Sequence, residues 1–144
     1  MSYDLIIIPR EPGQDWDDAL EAAEQADDEE LAEANPAVWA RIAARVRELL
    51  PDAVDHGDEL DDEATGIQVE CWGAEAAVSA PYWHTGATAE RVMALMYEAA
   101  EIVAEETGLH AYDPQTGQTV EPEHLAAATA LYDATAASIG NGNR

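Results

Sequence analysis

The sequence predicts a single α+β domain in which four antiparallel strands form one sheet and helices cover one of its faces. Leu5–Ile8 are continuously apolar, as in a central strand covered on both sides. Gly66–Trp72 alternates apolar with polar side chains, and Ala76–Ala80 follows a turn at Gly73, which is the pattern of a hairpin. Thr88–Thr107 repeats apolar residues at helical spacing, so a long amphipathic helix should pack on that sheet.

The first third of the chain predicts one strand and two helices. The strand covers Tyr3–Ile8. Asp15–Ala34 has a thin apolar stripe and many acids four residues apart with no base among them, so we expect a weak helix. Asn35 and Pro36 supply an N-cap and a first turn for a better helix, which Pro51 ends.

The remainder predicts an acidic loop and then further strands and helices. Asp52–Glu63 carries seven acids with little periodicity, so we expect a solvated loop there. Gly108 suits the left-handed position that ends the long helix. The elements expected after it are a strand over Leu109–Tyr112, a turn at Asp113–Gly117, a short strand over Gln118–Val120 and a helix over Pro122–Ile139.

The order of these elements is that of a split βαβ unit. A βαββαβ order predicts a ferredoxin-like fold, in which Leu5–Ile8 lies in the middle of a four-stranded antiparallel sheet. The acidic helix is then an insertion before the first core helix, and the last helix is an addition at the C-terminal end. We expect residues 1–139 to form this one domain and residues 140–144, rich in Gly and Asn, to be a disordered tail.

Charge limits the classes of partner. The chain has 31 acids against 6 bases, all of them Arg, and a formal net charge of −25. Such a surface repels nucleic acid and anionic membranes, because both are bound through Lys and Arg. It attracts basic proteins and cations. Cys71 is the single cysteine, and no signal segment precedes the first strand, so a cytoplasmic protein without disulfides is expected.

The motifs of catalysis and of metal binding are weak. His56, His84, His110 and His124 do not have the spacing of a zinc site, and the acids of Asp52–Glu63 do not follow the order of a calcium loop. Cys71 has no activating base nearby and is expected to pack in the core. We therefore predict no catalytic residue, no metal site and no cofactor.

A resemblance to known proteins rests on two short motifs. The opening Tyr-Asp-Leu strand and the segment Gly108, Leu109, Tyr112, Asp113, Pro114, Gln115 resemble a loosely defined family of small bacterial proteins, some of which look like immunity proteins of toxin systems. The resemblance covers Tyr3–Ile8 and roughly Gly66–Val120. It implies a helix cap, a strand and a turn, and transfers no catalytic residue.

The predicted function is therefore protein binding. We expect an inhibitor or immunity protein that neutralises a basic partner, such as a nuclease toxin, by presenting carboxylates as a DNA mimic does. The residues predicted to contact the partner are the densest acids and the aromatics beside the hairpin: Asp27, Asp28, Glu29, Glu30, Asp58, Glu59, Asp61, Asp62, Glu63, Trp72, Tyr82 and Trp83.

Four alternatives stay open. One is a small-molecule-binding or enzymatic ferredoxin-like domain with a pocket near His84 or His110. Another is a housekeeping domain whose acidity reflects salt adaptation of a whole proteome. The aromatics could also cover a sheet face within the monomer, and the edge strand could pair with a second copy, so a homodimer stays open.

Overall fold

The computed structural model describes residues 2–24, 35–71 and 75–142, and it confirms the α+β class. The strands are β1 (Ser2–Ile8), β2 (Val54–Asp55), β3 (Glu59–Asp61), β4 (Gln68–Cys71), β5 (Ala76–Pro81), β6 (His110–Asp113) and β7 (Gln118–Thr119). The helices are α1 (Trp16–Glu24), α2 (Pro36–Leu49), α3 (Gly86–Thr107) and α4 (Leu125–Gly142), the last preceded by a 3-10 turn at Pro122–His124.

The sheet is antiparallel and has seven strands in the order β2-β3-β4-β5-β1-β6-β7. The predicted count of four was too low because both edges are extended. The segment Asp52–Glu63, expected to be a solvated loop, instead forms the β2–β3 hairpin, and Leu60 of β3 pairs with Val69 of β4. Leu60 is buried, and this one apolar residue between acids is what attaches the hairpin to the sheet. At the other edge, β7 pairs with β6 and confirms the short strand predicted over Gln118–Val120.

The core lies on the sheet face that carries Tyr3, Leu5 and Ile7. Because side chains alternate along a strand, these residues share a face with Val78 of β5 and Val69 of β4, and all five are buried. Helices α2, α3 and α4 cover this face, with α3 in the middle. The apolar spacing of α3 and α4 predicts eleven inward side chains. Seven of them are buried: Val92, Met96, Ala99, Val103, Ala128, Tyr132 and Ala136. The other four are only partly buried: Leu95, Ile102, Leu125 and Ile139.

Helix α1 contacts the face of the sheet opposite to the one that α2, α3 and α4 cover. This corrects the prediction that all the helices lie on one face. Trp16 of α1 stacks on Tyr112, with ring centroids 4.6 Å apart, and its indole N–H donates to Thr119 at 3.0 Å. Ala111 pairs with Ile7 of β1, so Ala111 and Asp113 point to the core face. Tyr112 lies between them in β6 and therefore points to the opposite face. The Trp16 side chain is therefore half-buried and covers the face opposite the core.

Local capping agrees with the sequence at the helix ends. The Asn35 side chain accepts a hydrogen bond from the amide of Ala37, and Pro36 occupies the first turn of α2. Gly108 ends α3 in the left-handed conformation, at φ 76°. Helix α4 extends through Gly142, three residues beyond the predicted end at Ile139 and into the predicted tail. In the three described ranges, no helix has both the length and the apolar character to cross a bilayer.

Candidate functional site: an acidic sheet face and the Trp83 groove

The face of the sheet opposite the core carries a group of carboxylates on its β3–β4 side, whereas Trp16 of α1 lies on its β6–β7 side. Asp61, Gln68, Ser79 and Asp4 are register partners across β3, β4, β5 and β1, and they point away from the core. In the next row, Glu59 faces Glu70 directly across β3 and β4. We call Asp4, Glu59, Asp61 and Glu70 the acidic face. Like charges directly opposite each other destabilise a sheet, so this arrangement costs stability where it stands.

A groove lies at the edge of the acidic face and contains an exposed tryptophan. It has a volume of about 230 Å³, and we call it the Trp83 groove. Its lining residues are Asp61, Asp62, Glu63, Gly66, Ile67, Gln68 and Trp83. The Trp83 side chain is 65% exposed, an unusual position for so large an apolar group.

Gly66 allows the indole to lie against the turn that precedes β4. Its backbone has φ 79°, which glycine adopts without a steric cost. A Cβ atom at this position would lie 2.8 Å from the Trp83 ring and 2.6 Å from the Pro81 ring. The placement of the tryptophan therefore depends on the absence of a side chain at Gly66.

The two aspartates of the groove have different roles. Asp62 is only 5% exposed, and its Oδ2 accepts hydrogen bonds from the Thr65 amide at 3.1 Å and the Thr65 hydroxyl at 2.5 Å. It holds the turn. Asp61 lies 3.0 Å from His56 through Oδ2, whereas its Oδ1 is buried without a hydrogen-bond partner among the described residues. A buried oxygen left unpaired in this way costs free energy where it stands.

Glu59 holds its proton more tightly than an isolated glutamic acid does. Partial burial raises the pKa of Glu59 above its usual value, and the neighbouring carboxylates of Asp61 and Glu70 raise it further. No Arg occurs in β2, β3, β4 or β5 to offset them. The acidic face is thus a site at which added positive charge is favourable.

The arginines of the described residues lie outside the strands that carry the acidic face. Arg41 and Arg45 of α2 form ion pairs with Glu106 of α3 at 2.7 and 3.1 Å, on the helical side of the sheet. These contacts lower the pKa of Glu106. Arg10 lies over the ring of Trp16 at the opposite end of the sheet. Because the helices take up most of the positive charge, the acidic face keeps its negative field.

Several predicted contact residues fall outside this arrangement. Tyr82 is half-buried in a ring cluster with Tyr3 and Tyr132, so most of its ring is used inside the monomer. Asp58 is exposed at the β2–β3 turn, close in sequence to the acidic face. The residues Asp27, Asp28, Glu29, Glu30 and Trp72 lie outside the described residues.

The turn motif that carried the resemblance contains a buried carboxylate. Asp113 is fully buried, and the hydroxyls of Tyr3 and Tyr97 both donate to its Oδ2 at 2.6 Å. Its Oδ1 accepts the amide of Gln115 at 2.9 Å. These contacts join β1, α3 and β6, so Asp113 fixes the fold. The sequence marked the turn but gave no sign of the two tyrosines, which are remote in the chain.

A second group of titratable side chains precedes α4. His124 Nδ1 lies 3.9 Å from Glu121 Oε2, and His124 Nε2 lies 3.9 Å from Glu123 Oε1. The neighbouring carboxyl of Glu123 raises the pKa of Glu121. The spacing of the four histidines in the sequence does not point to this Glu-Pro-Glu-His segment.

Comparison with known proteins adds no relative. No family model, no curated protein and no solved structure matches this chain. Function is therefore argued from the geometry alone.

Proposed function

We propose that this protein binds a basic protein partner and inhibits it, as an immunity protein does with a toxin. The observation that carries the proposal is the Trp83 groove, in which an exposed indole lies beside the carboxylates of Asp61 and Glu63. The partner we expect is a basic enzyme such as a nuclease, whose substrate-binding surface accepts carboxylates in the positions of phosphates.

The size and chemistry of the groove favour one cationic side chain as its occupant. Sites for small molecules commonly enclose about 300–1,000 Å³. At about 230 Å³, the groove is below that range, and it is open to solvent. An Arg guanidinium on the Trp83 ring would gain a cation–π contact, and it would lie beside the carboxylates of Asp61 and Glu63, which line the same groove.

The distribution of charge supports binding through the sheet face. Glu59 and Glu70 face each other without a base on the same strands, although the arrangement costs stability. A field of one sign over such a face speeds the association of a partner of opposite sign. General solubility does not require Glu59 and Glu70 to lie directly opposite each other in the sheet.

The fold gives limited support to the resemblance with immunity proteins. Among the seven strands, the four inner ones have the order β6-β1-β5-β4, all antiparallel. We propose that these four are a ferredoxin-like core extended at both edges. The resemblance to small bacterial immunity-like proteins is retained as a prediction and is independent of the charge argument.

The test combines capture of a partner with direct measurement of its affinity. The full chain is immobilised, an extract of the producing organism is applied, and proteins that elute with salt are purified. Each is then titrated with the free chain by calorimetry. We expect a basic protein whose affinity falls as salt rises. Trp83→Ala should weaken binding about tenfold or more, because an anchoring Trp contributes about 2 kcal/mol.

A charge-matched control separates the groove from the net charge. Asp61→Asn with Glu63→Gln removes two negative charges at the groove, and Glu90→Gln with Glu98→Gln removes two from exposed positions of α3. The first pair should weaken binding strongly and the second only slightly. Equal losses in the two pairs, or an unchanged affinity for Trp83→Ala, would show that the groove is not the binding site.

A further inference from the structure

We propose that Glu121, Glu123 and His124 form a binding site for a divalent transition-metal ion of the zinc class. One potential ligand atom from each of the three residues lies within 4.8 Å of the other two. The site is at the opposite edge of the sheet from the Trp83 groove, between β7 and α4, and it is separate from the proposed partner surface.

The ring of His124 is oriented for coordination. Its Nδ1 lies 2.8 Å from the backbone oxygen of Thr119. A carbonyl oxygen can only accept, so Nδ1 carries the proton and donates it, and the lone pair of the neutral ring is on Nε2. Histidines that bind metals usually have their second nitrogen held in this way by a carbonyl or carboxylate. This contact lies outside the three ligands and fixes both the tautomer and the plane of the ring.

The carboxylates can reach a common ion by small movements. In a tetrahedral zinc site with bonds of about 2.0–2.2 Å, ligand atoms lie about 3.4 Å apart. The separation between His124 Nε2 and Glu123 Oε1 is 3.9 Å. Glu121 Oε2 lies 3.9 Å from the other ring nitrogen, Nδ1, so its carboxylate must swing toward Nε2 to reach the same ion. The side chains of Glu121 and Glu123 are 47% and 71% exposed, so rotation about their side-chain bonds can close the difference. Water would complete the coordination.

The donor set indicates the class of ion. Imidazole nitrogen favours zinc and its first-row neighbours, whereas magnesium and calcium prefer oxygen alone. Diffuse attraction of divalent ions to a chain of net charge −25 does not depend on imidazole, and magnesium satisfies it as well as zinc. An excess of magnesium therefore removes the diffuse contribution and leaves a zinc-class site occupied.

The experiment is a zinc titration of the metal-free full chain by calorimetry, in a non-coordinating buffer with excess magnesium. We expect one zinc ion per chain. Glu123→Gln and His124→Ala should each weaken zinc binding at least about tenfold, and His110→Ala, at an exposed histidine of β6, should leave it unchanged. Binding of cobalt should give a tetrahedral absorption spectrum that the same two variants lose.

Two outcomes would overturn the site. Zinc binding that disappears in excess magnesium would show diffuse attraction only, and equal affinity in wild type and Glu123→Gln would exclude that ligand. The Glu123 side chain is 71% exposed, so Glu123→Gln should keep the fold intact. It tests the site independently of His124→Ala, which also removes the hydrogen bond to Thr119 and can perturb the turn.

Discussion

The Asp113 network predicts a large loss of stability from the removal of a single hydroxyl. Tyr3→Phe deletes one of the two O–H donors to the buried carboxylate and changes little else, because the ring remains in the core. The bond is 2.6 Å long, within the range of charge-assisted O–H···O⁻ bonds. Hydrogen bonds to charged groups contribute about 1.5–3 kcal/mol, and we expect the free energy of unfolding to fall by that amount.

Removal of both hydroxyls should cost more than the sum of the single changes. Each single variant leaves the carboxylate one tyrosine donor. In Tyr3→Phe with Tyr97→Phe, only the Gln115 amide remains on a fully buried charge. We expect a coupling free energy of about 0.5–3 kcal/mol, which is the range for residues in one hydrogen-bond network. The assay is urea unfolding at neutral pH, followed by tryptophan fluorescence and circular dichroism.

Tyr82→Phe is the matched control for these variants. It makes the same chemical change in the same ring cluster, at a hydroxyl with no hydrogen bond to the rest of the described chain. Its effect should stay within about 0.5 kcal/mol. If Tyr3→Phe is as mild as Tyr82→Phe, or if the two network variants simply add, then Asp113 does not have the structural role described above.

Two further predictions follow from the same structure. Burial, and then hydrogen bonding to the shared carboxylate, raises the pKa of Tyr3 and of Tyr97, so the folded chain holds these protons after the unfolded chain has lost them above about pH 10. Stability should fall above that pH by about 1.4 kcal/mol per pH unit for each tyrosine, and pH-dependent urea unfolding should show a shallower fall in the double Phe variant. Gly66→Ala should destabilise by about 2–5 kcal/mol, because its Cβ would lie 2.6 Å from the Pro81 ring at a φ of 79°. Gly57→Ala is the control: its φ is 97°, and no atom lies within 4 Å of the added Cβ, so it has the backbone cost alone. Equal thermal unfolding temperatures for Gly66→Ala and Gly57→Ala would refute the steric argument.

Elements with a strong local signal could be predicted from the sequence. The β4–β5 hairpin, the inward positions of α3 and the left-handed Gly108 were all predicted before the structure, and Cys71 is buried as expected. Each of these features depends on residues within a few positions of one another. Periodicity and capping record that local information directly.

The β2–β3 hairpin could not be predicted because its stability comes from a neighbour. Glu59–Asp61 has one apolar residue and two acids, a composition typical of a loop. Its strand geometry depends on pairing with β4, whose free edge exists only after the sheet has formed. The predicted contacts of Asp61, Glu63 and Trp83 with a partner remain a prediction, although the structure does bring all three to one groove.

The sequence by itself determined the α+β class, the helix caps and the excess of negative charge, because these depend on composition and on near neighbours. Tertiary structure decided where the charge lies and which polar groups are buried. The hydroxyl of Tyr3 meets Asp113 across 110 positions of the chain, and Glu59 meets Glu70 through strand register. Such pairings depend on how distant segments pack, and short-range periodicity contains no information on them.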